Sequence, residues 1–197
     1  MFLINLYLFT IAACLVISIQ NRLARQQYLW VYFGVVLIIE TTKIFHWGNF
    51  SSEIYTYSSL IYILYFLYYY LIAKINKILI GALAIVSIVL YFYFVVHCND
   101  DYPIAVGILM SSIYIILSLI WFANQLLHTD SIRITNKQTF WISFSLLIWS
   151  VFFLFRLIPM YWLNVNDNDF LKDINLGYQI ITVLSYFIFL RGLFCKF

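Results

Sequence analysis

The chain has 197 residues, of which 65% are hydrophobic, 21% aromatic and only 10% charged, against about 25% charged in a soluble domain. Mean hydropathy is +0.95, and runs of about 20 apolar residues recur throughout, which excludes an ordinary soluble fold. The net charge of +3 comes without a basic cluster, so nucleic acid is excluded as a partner.

Seven apolar segments can be drawn, at about 2–20, 28–47, 55–73, 77–97, 103–127, 138–161 and 174–194. Each is close to the length that spans a hydrocarbon core of about 30 Å at about 1.5 Å per residue. The runs are continuously apolar, whereas barrel strands alternate every second residue. The expectation is an all-α integral membrane protein, one seven-helix transmembrane domain over residues 1–197, with the lipid bilayer as its first partner and no Pro/Ser-rich linker dividing it.

Segment one carries Ile11, Ala12, Ala13 and Cys14, a pattern like a lipoprotein cleavage box. Residues 1–13 hold no Lys or Arg, whereas a secretory signal opens on a positive region. The segment is therefore read as a retained helix. Segment two ends in E-T-T-K-I-F-H-W, Glu40 to Trp47. Spacings of three put Glu40, Lys43 and His46 on neighbouring parts of one helix face. Glu40 lies roughly 18 Å and Lys43 roughly 22 Å along that helix, in the half of the membrane away from its start.

Segment three shows a stripe of Tyr55, Ser58, Tyr62, Tyr65 and Tyr69. Segment four is almost wholly apolar, and segment five offers only Ser111, Tyr114 and Ser118. In segment six Arg156 is placed on one face with Ser145, Trp149 and Phe152. Pro159 ends or kinks that helix, and Pro103 suits the first turn of segment five. Segment seven shows Asn175, Tyr178, Gln179, Thr182, Ser185 and Tyr186, a polar stripe at helical period. Trp30, Trp47, Trp121, Trp141 and Trp162 lie near segment ends, where indole rings prefer the interface. Trp149, at mid-segment, is the exception.

Orientation follows from Lys and Arg in short loops. Arg22, Arg25, Lys74, Lys77, Arg133, Lys137, Arg191 and Lys196 all fall on one side if seven segments alternate. The other side carries Glu53, Asp100, Asp101, Asp167, Asp169 and Asp173, with Lys172 its basic loop residue. The N-terminus is therefore expected outside and the C-terminus in the cytoplasm, as a multi-pass protein of the cell membrane, with a bacterial inner membrane the expected setting.

Charge within a bilayer is costly and normally faces the bundle interior or a cavity. Two arrangements fit the outer-half groups. In a clamp, Glu40 pairs with Lys43 or Arg156 and the hydroxyl stripes join helices. In a pocket, Glu40, Lys43, His46 and Arg156 surround a ligand, with Trp149, Tyr62, Tyr178 and Gln179 in its walls. His46 beside Trp47 also reads as an ordinary solvated interface histidine. The three cysteines, Cys14, Cys98 and Cys195, have no metal or redox spacing, and no metal or cofactor is expected. Residues 164–169, N-V-N-D-N-D, lack the glycine and glutamate of a calcium loop and read as surface turn. Residues 49–51 form a glycosylation sequon on the outer side.

No G-x-S-x-G, H-E-x-x-H, Walker A or C-x-x-C motif occurs. Helix count and orientation resemble heptahelical receptors and bacterial seven-helix sensor modules, on architecture alone. The expectation is a non-enzymatic sensor or receptor-like module. It binds a small polar ligand at the outer-half cluster and signals to a separate protein partner through its basic inner loops, above all residues 128–138. A channel or transporter subunit and a membrane-embedded lipid-active enzyme are the alternatives.

Overall fold

A computed structural model describes residues 2–44, 53–73, 75–97, 104–128, 132–162 and 168–195. Among the described residues the regular structure is entirely helical. The long elements are α1 (Phe2–Gln20), α3 (Leu29–Ile44), α4 (Glu53–Ile72), α5 (Lys77–His97), α6 (Ile104–Leu127), α7 (Gln138–Leu157) and α8 (Asn168–Leu193). A short α2 (Arg22–Gln26) joins α1 to α3.

Among the described residues five helices, α1, α5, α6, α7 and α8, are long and apolar enough to cross a membrane. The other two fall short for separate reasons. The described part of α3 has 16 residues, roughly 24 Å of helix. α4 has 20 residues, but its tyrosines at 55, 57, 62, 65, 68, 69 and 70 lower its hydropathy.

Local chemistry sets several boundaries. Asn21 caps α2 by accepting from the Leu23 N–H at 3.0 Å, and its Nδ2 donates to the Leu193 carbonyl. Tyr28 adopts φ 57°, a left-handed conformation that breaks the helix between α2 and α3. After Leu157 the backbone widens into a π turn over Ile158–Trp162. Pro159 explains it, because its ring clashes with the carbonyl four residues back and it has no N–H to donate. α8 begins at Asn168, six residues before the expected start of segment seven. Residues 168 and 169 are therefore helical rather than surface turn, and 164–167 lie outside the described residues.

Helix packing forms a ring. α1 lies between α3 and α8, α8 packs on α7, α7 on α6, α6 on α4, and α4 closes back on α3. α5 stands outside this ring, against α4 and α6. At one end, hydrogen bonds cross between helices. Tyr65 Oη donates to the Gln27 carbonyl at 3.1 Å, Tyr69 Oη donates to Thr139 Oγ1 at 3.3 Å, and Tyr70 Oη and Ser143 Oγ are 2.6 Å apart. Phe33, Phe66, Leu117, Ile142 and Leu193 fill the same half and are fully buried. Gly192 is required there, because a Cβ would come within 2.9 Å of the Trp141 Cβ. This packed end also carries Arg22, Arg25, Lys77, Arg133, Lys137 and Arg191.

Candidate functional site

The opposite half of the ring is hollow. A cavity of about 840 Å³ opens among α1, α3, α4, α6, α7 and α8. It takes nothing from α5. It runs from Lys43, Tyr55 and Met160 at the rim to Tyr32 and Phe189 at the floor, which is roughly 16 Å along α3 from residue 43 to residue 32.

The sequence places its polar stripes on this surface to differing degrees. All six stripe residues of α8, from Asn175 to Tyr186, line the cavity. From α4 the stripe contributes Tyr55, Ser58 and Tyr62. Tyr65 and Tyr69 lie lower and are bonded into the packed half. From α6 only Tyr114 of the three expected polar residues takes part, Ser111 donating to the Gly107 carbonyl in its own helix. From α7 come Ser145, Trp149 and Arg156. Phe152, expected on that face, is instead 43% exposed on the outside of the ring, and Phe153 takes the inner position. Helical phase does not separate the two, since positions three and four residues on share one face; the packing of α6 and α8 against α7 selects Phe153.

Seven of the eight candidate ligand residues, Glu40, Lys43, Arg156, Trp149, Tyr62, Tyr178 and Gln179, therefore share one cavity surface. His46, like the sequon at 49–51 and Cys98, lies outside the described residues.

The charged groups are not clamped together. Glu40 Oε1 accepts from Tyr7 Oη at 3.4 Å, and among the described residues no ion pair within 4 Å joins it to Lys43 or Arg156. The two cations lie on aromatic faces instead. Lys43 Nζ is 5.1 Å from the Tyr55 ring centre, and Arg156 Cζ is 4.8 Å from that of Tyr178. Both distances are within the range in which a ring quadrupole attracts a cation. Trp149 explains its mid-helix position: it stacks on Phe153 at 5.1 Å and approaches Tyr178 at 6.4 Å and Tyr114 at 6.1 Å.

The hydroxyls in the wall are occupied locally. Ser58 and Ser59 both donate to the Tyr55 carbonyl, Thr182 to Tyr178 and Ser185 to Thr182. Ser145 Oγ donates across to the Ser185 carbonyl on α8 at 2.7 Å. The deeper wall accordingly presents ring faces, with Tyr7 against Tyr186 at 5.4 Å and Tyr32 near-parallel to Phe189 at 6.1 Å. Two polar atoms at the rim remain without a hydrogen-bond partner among the described residues while buried, Arg156 Nε and Tyr55 Oη.

Tyr7, Tyr32, Phe153 and Phe189 belong to the site and carry no sequence signal strong enough to find them. Tyr7 and Tyr32 are isolated tyrosines in apolar helices, and only Glu40 across the α1–α3 contact gives Tyr7 a role. No protein-family model, curated protein or solved structure matches this chain.

Proposed function

We propose that this chain is a seven-helix membrane protein that binds a small molecule in the ring cavity and passes the occupancy signal to a separate protein. α3 and α4 complete the five evident spans in this reading, since the apolar run around α3 covers 28–47 and α4 turns Tyr55, Tyr62, Tyr65, Tyr69 and Tyr70 to the cavity or to helix contacts, leaving Tyr57 and Tyr68 exposed. The end bearing Arg22, Arg25, Lys77, Arg133, Lys137 and Arg191 faces the cytoplasm by the positive-inside rule. The cavity then opens outward.

The observation that carries the reading is the coincidence of the cavity with the in-membrane charges. Glu40 and Lys43 from one turn of α3 and Arg156 from α7 all line the same 840 Å³ space, a volume within the usual range of about 300–1,000 Å³ for ligand sites. Glu40 and Arg156 are not consumed by pairing with each other. Below the cavity the ring is filled by Phe33, Phe66 and Leu117. That plug suits a ligand-holding chamber better than a conducting path.

Native mass spectrometry of the protein purified from membranes is the test. A bound small molecule should be released from the native chain and be missing from Ser145→Trp, which fills the chamber. A native chain that carries nothing, and whose melting temperature does not respond to any of a broad panel of amphiphiles and metabolites, would end this reading.

A further inference from the structure

We propose that the ligand is a monoanionic amphiphile whose carboxylate lies at the cavity rim between Arg156 and Lys43 and whose apolar body fills the aromatic chamber. This rests on the ligand-binding reading above and adds the chemistry. The first support is the distribution of unused donors. Guanidinium has donors and no acceptor, and Arg156 Nε is buried with no hydrogen-bond partner among the described residues. Tyr55 Oη, at the same rim, is likewise buried and unpartnered. A buried donor left unmade is costly, and each is a donor of the kind that an oxyanion accepts from.

The internal alternative is already engaged. Glu40, the one carboxylate among the described lining residues, is held by Tyr7 and has no ion pair to Arg156 within 4 Å. The second support is that the rim rings are taken. Lys43 and Arg156 cover the faces of Tyr55 and Tyr178, so a cationic ligand would meet like charge where it would otherwise find π-faces. The third is the floor. All five Ser and Thr hydroxyls of the lining donate to backbone carbonyls. What remains toward Tyr32 and Phe189 is mainly ring surface, with the Tyr32 and Tyr186 hydroxyls bonded to each other, and it suits an aliphatic or aromatic body.

Such a molecule reaches the site either from the bilayer, as a fatty acid, or from water, as an aromatic acid. The chemistry at the rim is the same, and the test separates the sources. The full chain in uncharged detergent is dialysed against dodecanoate, dodecanol and 3-phenylpropionate, with protein-free micelles subtracted. Dodecanoate should bind roughly ten- to a hundredfold more tightly than dodecanol, the range set by a charge-assisted hydrogen bond, and Arg156→Gln should abolish that preference while dodecanol still binds. Tighter binding of 3-phenylpropionate than of dodecanoate, with the same loss in Arg156→Gln, assigns the ligand to the aqueous source. Equal binding of acid and alcohol by the native chain overturns the anion assignment and leaves the cavity reading standing. An acid preference that survives both Arg156→Gln and Lys43→Gln places the carboxylate elsewhere and also overturns it. Failure of all three probes to bind counts against the cavity reading itself. Should Arg156→Gln not fold, Arg156→Lys and Lys43→Gln carry the comparison, each predicted to narrow the acid-to-alcohol ratio.

Discussion

Glu40 makes a hydrogen bond to Tyr7 at 3.4 Å and no ion pair among the described residues within 4 Å, so neutralising it should cost the fold little. We expect Glu40→Gln to change unfolding free energy by no more than about 0.5 kcal/mol, as for a substitution that breaks no network. A clamped buried pair would instead lose about 3–5 kcal/mol, and SDS-titrated unfolding separates the two outcomes. Gly192 carries the opposite expectation. A methyl group there meets the Trp141 Cβ, a rigid neighbour, at 2.9 Å. Gly192→Ala should therefore destabilise by about 1–3 kcal/mol, the usual range for overpacking. A Gly192→Ala chain as stable as the native one would mean that α7 and α8 can separate freely.

Each helix presents a face, and periodicity located most of those faces. The α8 stripe from Asn175 to Tyr186 was legible in full because six polar residues at helical spacing leave little choice of side. The α7 face was legible only to within a residue. Phe152 and Phe153 are adjacent and equally apolar, and the neighbouring helices decide which one points inward. The two should separate functionally: Phe153→Ala alters retention of the bound molecule in native mass spectrometry, and Phe152→Ala leaves it unchanged. Equal effects would mean that the inner face of α7 is wrongly assigned. α1 was the least legible contributor. Its polarity near the cavity reduces to Tyr7, and a single tyrosine in an apolar helix has no period to read. Ser145, by contrast, was visible in sequence, but not its bond to the Ser185 carbonyl. Removing that bond in Ser145→Ala should cost about 0.6 kcal/mol and at most about 1.7, the range for hydrogen bonds between membrane helices.

At the scale of the whole molecule, the all-helical class and the long apolar helices could be read in advance because bilayer thickness acts on composition directly. The ring could not, since nothing in a helix's own residues says which neighbours it takes. The orientation proposed for that ring predicts that a reporter fused after residue 197 is active only in the cytoplasm, and exterior activity would reverse the cavity's aspect. The place of α5 outside the ring has a practical consequence. It touches α4 and α6 but contributes no wall to the cavity, and Val89 on its outer face is 61% exposed. A fluorophore attached at that position would serve as a reference, reporting on the surroundings of the bundle away from the cavity while a second one near Tyr178 follows filling and emptying of the chamber. Labelled at both positions, one polypeptide would report ligand occupancy against an internal control.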